Sequence, residues 1–141
     1  MSAGREAGDR GSLAIEAALV VPVIFGLLVL GLVAGRAEQI AGTVQEAART
    51  GARAASLGQS GAEVETAKKA VHDLLARSGV DCPGLQVNAV VEPLAGAAPL
   101  RDVRVDVICK VPVNDLSPVW VPGGLVLQGT FRSVIDQYRS T

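Results

Sequence analysis

The sequence contains few of the residues from which catalytic and nucleic-acid-binding sites are usually built. Its 141 residues include one histidine, one tryptophan, one tyrosine and two phenylalanines, and its formal net charge is −1. Nucleic-acid-binding domains typically carry a basic stripe, and base stacking requires aromatic side chains. We therefore expect no nucleic-acid partner.

Recognisable catalytic and metal-binding motifs are also missing. The sequence has no G-x-S-x-G, no phosphate-binding loop and no His–Cys pair at nucleophile spacing. Cys82 and Cys109 form no C-x-x-C pair, and His72 has no second ligand at metal spacing, which is typical of a surface histidine. Because a catalytic site needs convergent titratable groups, we expect no enzymatic activity, no cofactor and no metal.

Charge is absent from one long stretch, residues 17–35, which is rich in Leu, Val, Ile and Ala. As a helix this stretch is about 28 Å long, close to the roughly 30 Å hydrocarbon core of a bilayer. A single apolar segment can cross lipid only as a helix, because its backbone groups must be paired internally. The stretch is long for a secretory signal and contains Pro22, although the small pair Ala34-Gly35 leaves a cleaved conventional signal as an alternative.

The residues around the start of the apolar stretch carry a family resemblance. Arg10-Gly-Ser-Leu-Ala-Ile-Glu16, followed by an apolar helix with an early proline, resembles the start of a type IVb prepilin, and most of all the TadE-like pseudopilins of tight-adherence (Flp) pilus systems. The segment Ala47-Ala-Arg-Thr-Gly-Ala-Arg-Ala-Ala-Ser56 resembles the family segment after the membrane helix. TadF-like proteins share the N-terminal pattern and stay open as an alternative.

The resemblance implies a processing event and a set of partners. A membrane-embedded prepilin peptidase would cut between Gly11 and Ser12, which leaves Glu16 fifth in the mature chain. The chain would then be a minor pilin-like structural subunit whose partners are the peptidase, membrane lipid, other pilin-like subunits and the pilus assembly platform. A different class of function, an unprocessed single-pass membrane protein with an extracytoplasmic binding module, is the alternative.

The resemblance also places the chain in the inner membrane, with a cytoplasmic N-terminus and an extracytoplasmic C-terminal module. The charge rule does not decide this orientation. Arg5 and Arg10 precede the apolar stretch, while Arg36, Arg49 and Arg53 follow it. A disulfide between the two cysteines would favour the same placement, since disulfides persist in oxidising compartments.

Glu16 is a carboxylate at the entrance of the apolar stretch, and two explanations for it stay open. An intramembrane charge usually has a partner, and the resemblance implies the α-amino group of Ser12, on the same or on a neighbouring subunit. Alternatively, Glu16 complements the positive end of the helix dipole and reaches headgroup water.

Beyond the membrane we expect the helix to continue to about Leu57. One face is lined by small and apolar residues: Ala37, Ile40, Ala41, Val44, Ala47, Ala48, Gly51, Ala52 and Ala55. Together with Gly31 and Gly35 inside the apolar stretch, this small-residue ridge indicates close packing between the helices of neighbouring subunits. The high overall content of Ala and Gly is the simpler explanation. Gly58 is predicted to end the helix in a left-handed conformation.

The remainder predicts a small α+β module. Ser60-Gly-Ala-Glu63 reads as a capping box opening a second helix, which ends at Ser78-Gly79. One face of this helix is an apolar stripe at three- and four-residue steps: Val64, Ala67, Val71, Leu74 and Leu75. Alternating residues predict two strands, 85–92 and 103–111, that form an antiparallel hairpin with one face on that helix, and 125–131 predicts a third strand. Phe131, Val134, Ile135 and Tyr138 have helical spacing, and the form of 131–141 is left open.

The hairpin brings Cys82 near the level of Lys110 or Val111, so a disulfide with Cys109 is geometrically plausible, with two buried free thiols as the alternative. Trp120, in a Pro- and Gly-rich connection, is interpreted as covering the edge of the core rather than as an interface residue. We thus divide the chain into a leader (1–11), a transmembrane helix (12–35), its extracytoplasmic extension (36–58) and the α+β module (59–141).

Overall fold

A computed structural model describes residues 6–97, 99–116, 120 and 122–135, with side chains from Ala14 onward. The elements in chain order are helix α1 (Glu6–Leu57), helix α2 (Glu63–Arg77), strands β1 (Gln86–Pro93) and β2 (Arg101–Pro112), the short helix α3 (Val113–Leu116) and strand β3 (Gly124–Ile135). The predicted α+β class, with one long N-terminal helix, a second helix and a small antiparallel sheet, is confirmed.

Helix α1 is continuous over 52 residues and includes Pro22. It begins at Glu6, earlier than the predicted span, and ends at Leu57 as expected. The left-handed conformation predicted for Gly58 is wrong, since its φ is not positive. Its missing side chain matters for packing, because a Cβ there would lie 3.2 Å from the Ala54 carbonyl oxygen and 3.3 Å from the Thr66 side chain.

The two ends of α2 are closed by different local interactions. The predicted capping box is wrong at Ser60, because the N-cap is Ala62 and no side chain caps the helix there. Glu63 still reaches back, and its Oε2 accepts a hydrogen bond of 2.8 Å from the Gly61 amide. At the other end Gly79 has φ +66°, and its amide and that of Val80 donate to carbonyls of the last turn, as in a Schellman motif.

The sheet has the strand order β1-β2-β3 with both pairs antiparallel. In the register of the sheet, Val103 of β2 lies opposite Val91, and Val105 lies opposite Phe131. β3 is longer than predicted and continues to Ile135, so the helical spacing of its last residues was misleading. Residues 136–141, including Tyr138, lie outside the described part of the chain.

The core lies between the sheet and the two long helices, which both pack on its inner face. β2 supplies a continuous buried row, and α2 contributes the stripe that its sequence predicts. The fully buried residues of α1 are Val44, Ala47, Ala48, Ala52 and Ala55. The part of the small-residue ridge that follows the uncharged stretch therefore packs inside its own chain, because small side chains let the helix lie close to the sheet.

The connection between β2 and β3 differs from its predicted form. It contains α3, whose Leu116 is 1% exposed and belongs to the core. Trp120 is 75% exposed, so its interpretation as a cover of the core edge is wrong. A backbone hydrogen bond of 3.0 Å from the Val113 amide to the Gly123 carbonyl closes this connection into a loop, which we call the α3–β3 loop.

Candidate functional site

A cleft beside α1 is the first candidate for a functional site on the described module. A cleft of about 550 Å³ lies between α1, the end of α2 and α3. Its charged lining residues are Arg36, Asp81 and Asp115, and no histidine or cysteine lines it. Among the described residues, no group of three or more His, Cys, Asp or Glu side chains could hold a metal ion. Helix α1 carries the residues that the sequence predicts to be functional.

The predicted processing residues lie near the start of α1. The backbone at Gly11 and Ser12 is helical, and Ser12 lies four residues, about one turn, before Glu16. The Glu16 side chain is exposed, and no ion pair between described side chains includes it. No Lys, Arg or His separates Glu16 from Arg36, about 30 Å farther along the helix. A cationic partner for Glu16 has to come from the N-terminal side or from another molecule.

The apolar part of α1 makes few contacts with the rest of the chain. It is long and apolar enough to span a membrane, and none of its most apolar window is buried. Large side chains point outward all around it, with exposed fractions from 46% at Val20 to 69% at Leu19. Cβ atoms added at Gly31 and Gly35 would meet nothing within 4 Å, so packing at these glycines stays a prediction about other molecules.

The module begins at the level where the apolar part of α1 ends. Val33, still inside the uncharged stretch, packs against the core cluster together with Ala37 and Ile40. Arg36, the first charged residue after the stretch, donates a 3.5 Å hydrogen bond from Nη1 to the Asp115 carbonyl of α3. The module is thus joined to the span without a flexible linker, because one helix belongs to both.

Cys82 and Cys109 form a disulfide with a Cα–Cα distance of 5.2 Å, so the pairing that the sequence made plausible is present. The bond ties the segment before β1 to the buried row of β2, since Cys109 is fully buried. The hairpin register differs slightly from the predicted one. Gln86 lies opposite Ile108, so the register extrapolates Cys82 to the level of Pro112, one or two residues beyond the predicted Lys110 or Val111.

Two residues that sequence reasoning did not single out hold α1 on the sheet. Gln45 forms a pair of hydrogen bonds with the backbone of Thr130 in the edge strand β3: its Nε2 donates to the carbonyl (2.9 Å) and its Oε1 accepts from the amide (3.2 Å). One residue earlier, a Cβ added at Gly129 would lie 2.6 Å from the Val44 carbonyl oxygen. Neither residue stands out in the sequence, since the role of each depends on where the helix crosses the strand.

Comparison with known families supports the interpretation of the N-terminal region. Residues 11–53 match the family model described as TadE-like protein. The match covers the motif around Glu16, the apolar stretch and most of the buried ridge, and it confirms the resemblance read from the sequence. No curated protein and no solved structure matches the chain.

Proposed function

We propose that this chain, a TadE-like protein over residues 11–53, is a minor pilin-like structural subunit that takes part in the assembly of a tight-adherence type IVb pilus. One observation of the structure supports it most. The first half of α1 exposes apolar side chains on all sides, while the second half is packed against the subunit's own module. Such a subunit can lie in a bilayer through one half of its helix and later exchange lipid for the helices of other subunits.

The proposal includes processing by a prepilin peptidase between Gly11 and Ser12. The membrane would then be the inner membrane, with the leader in the cytoplasm and the module outside. The disulfide supports this orientation, because disulfides form and persist in oxidising compartments. The module would contribute structure and adhesion rather than catalysis.

Glu16 has the central role in assembly in this proposal. Cleavage creates a cationic α-amino group on Ser12, one helical turn from the Glu16 carboxylate of the same chain. A carboxylate deep in the hydrocarbon costs about 2.5–3.5 kcal/mol on insertion scales, and less near the interface. Pairing with the α-amino group of a neighbouring subunit offsets this cost and aligns the two subunits along the filament axis.

Processing is tested by the mass of the N-terminal peptide of protein purified from membranes. We expect the mature chain to begin at Ser12, and the Gly11→Leu variant to keep its leader because the peptidase requires a small residue before the cut. Gly8→Leu, a matched change three residues earlier, should be processed normally. An unprocessed wild-type chain that begins at Met1 would favour the alternative of an anchored binding module.

The assembly role is tested by Glu16→Ala. We expect this variant to insert and to be cut, but to lose co-purification with other pilin-like subunits and to abolish pilus formation, since the intersubunit pair is gone. Glu38→Ala removes an exposed carboxylate just beyond the apolar stretch and is the matched control. Normal pili from a correctly processed Glu16→Ala protein would contradict the pairing and leave only the helix-dipole role.

A further inference from the structure

The end of the module that lies nearest the apolar stretch can be identified from the contacts along α1. Arg36 contacts α3, Gln45 contacts Thr130 in the middle of β3, and the Ser133 hydroxyl donates to Ser56 near the end of α1. α1 and β3 therefore run in the same direction, away from the apolar stretch. The described near end of the module consists of the turn after α2, the end of β2, α3, Trp120 and the start of β3.

We propose that this near end rests on the bilayer surface, with the indole ring of Trp120 in the headgroup region. Described residues on both sides of Trp120 make contacts at this level. The Asp115 carbonyl accepts the 3.5 Å hydrogen bond from Arg36, and the Val113 amide donates a hydrogen bond to the Gly123 carbonyl. Val33 belongs to the apolar stretch and also packs on the core, so the module overlaps the last turn of the stretch in height.

The exposed side chains at this end have the composition of a membrane–water interface. Trp120 is 75% exposed, and Leu125 and Val126 at the start of β3 are 37% and 55% exposed. Tryptophan is enriched at the level of lipid headgroups, because its ring is apolar and its N–H remains hydrated. Contact with lipid headgroups explains why a large aromatic ring is exposed at the end of the module that faces the bilayer.

The charged residues at this end do not favour electrostatic attraction to anionic lipids, which leaves apolar contact as the source of attachment. Among the described residues at this end, Arg36, Arg77 and Lys110 are basic, and Glu38, Asp81 and Asp115 are acidic. The near end of the module therefore has no excess of basic residues toward anionic lipids. Its attachment has to come from α1 itself and from the ring of Trp120.

The proposal requires only that α1 spans a membrane, and it does not depend on processing at Gly11 or on pilus assembly. Its consequence is mechanical. A rigid helix with one contact point beside it at the interface fixes the height of the module above the bilayer and limits its rotation about the helix axis. The module would then be presented to neighbouring subunits in one orientation.

The full-length chain has a single tryptophan, so its own fluorescence reports the position of Trp120. The protein is reconstituted in phosphatidylcholine vesicles, and insertion is verified by flotation. We expect vesicles with a doxyl quencher near the headgroup to reduce the emission roughly twofold, with a quencher at the end of the acyl chain having a smaller effect, as for a side chain within about 5–10 Å of the headgroup boundary.

The matched control moves the indole to the far end of the module. Leu57 is 76% exposed and lies about 32 Å along α1 from Arg36, so the double variant W120F/L57W should be quenched by aqueous iodide and not by either lipid probe. If Trp120 in floating vesicles is quenched by iodide only, the proposal is wrong while the membrane span stands. A blue-shifted emission that neither lipid probe affects would show that protein, such as a second copy of this chain, covers the ring, and would also overturn it.

Discussion

Gly129 shows how a single residue decides where α1 lies on the sheet. It sits on the inner face of β3, opposite Val107, and the backbone of α1 crosses directly above it. An added Cβ would be 2.6 Å from the Val44 carbonyl oxygen and 2.9 Å from the Gln45 Cα. Both are backbone atoms of a helix that is fixed on two sides, so neither can move aside locally.

We expect Gly129→Ala to lower the free energy of unfolding of the detergent-solubilised protein by about 1–3 kcal/mol, the usual range for overpacking. Gly124→Ala in the same strand is the matched control, because its Cβ would have an ordinary 3.5 Å contact with the Val111 carbonyl oxygen. Denaturant unfolding followed by circular dichroism measures both. Equal unfolding midpoints for the two variants would contradict the close helix–strand crossing.

A side chain added at Gly51 would also meet neighbouring atoms, at the crossing of α1 and α2, but one of these atoms can move aside. A Cβ there would lie 2.7 Å from Val71 Cγ2 and 3.1 Å from the Ala67 carbonyl oxygen. The first contact is with the end of a side chain that can adjust, and the second is with backbone that cannot. Gly51 and its alanine neighbours therefore let two helices and a sheet share one thin core with few large side chains.

At the scale of elements, α1 is one continuous helix with two different environments. Its second half is stabilised by burial against α2 and the sheet, whereas its first half has apolar side chains and no partner element. The two halves are joined near Val33 and Arg36, where the core ends and the first charge appears. Because no linker separates them, a force or a contact on the first half reaches the module directly.

β3 is an edge strand, and unpaired backbone groups at an edge can pair with another chain. Gln45 covers part of this edge, because its side-chain amide occupies both the N–H and the C=O of Thr130. The Thr130 side chain meanwhile donates to Asp106 of β2 at 2.8 Å. The central part of β3 is thus held from both sides.

We expect Gln45→Ala to destabilise the protein by about 1–2 kcal/mol, since two hydrogen bonds of about 0.5–1.5 kcal/mol each are lost to a partly solvated edge. The Thr130 amide should lose protection against hydrogen exchange while the amides that pair β1 with β2 keep theirs. Glu46→Ala is the matched control, because Glu46 makes only an exposed 4.0 Å contact with Arg49. Unchanged exchange at Thr130 in the Gln45 variant would be inconsistent with this cover of the edge.

For the whole molecule, the disulfide joins segments that are 27 residues apart in sequence. A loop of this length gives about 3 kcal/mol of stabilisation through the unfolded chain. The module has few large core residues, so this contribution is a substantial part of the 5–15 kcal/mol that is typical of folded domains. Loss of the disulfide in a reducing compartment would therefore remove a substantial part of the stability of the module.

We expect the Cys82→Ala/Cys109→Ala double variant to be less stable than the oxidised protein by about 3 kcal/mol, measured by denaturant unfolding. Reductant should lower the stability of the wild-type protein by a similar amount and leave the variant unchanged, which separates the effect of the bond from that of the side chains. Alkylation of native, non-reduced protein recovered from cells should label neither cysteine. Labelling of both would argue against the extracytoplasmic placement of the module.

Much of the fold is determined by local patterns in the sequence. The uncharged stretch set the length of a span, the recurrence of apolar residues at three- and four-residue steps gave α2 and the buried face of α1, and strict alternation gave β1 and β2. Gly11, Glu16 and the segment that follows the apolar stretch identified the family region. These features are visible in the sequence because helical periodicity, strand alternation and the distribution of charge involve residues that are only a few positions apart.

The tertiary structure decided which partner each surface has. The small-residue ridge could have faced another molecule, and only its packing under β2 and β3 assigned it to this chain's own core. β3 continues to Ile135 although its last residues have helical spacing, because β2 offers unpaired backbone groups along that whole length. Gln45, Gly129 and Trp120 acquire their roles from residues more than 70 positions away in sequence or from the level of the span, and such contacts leave no local pattern in the chain.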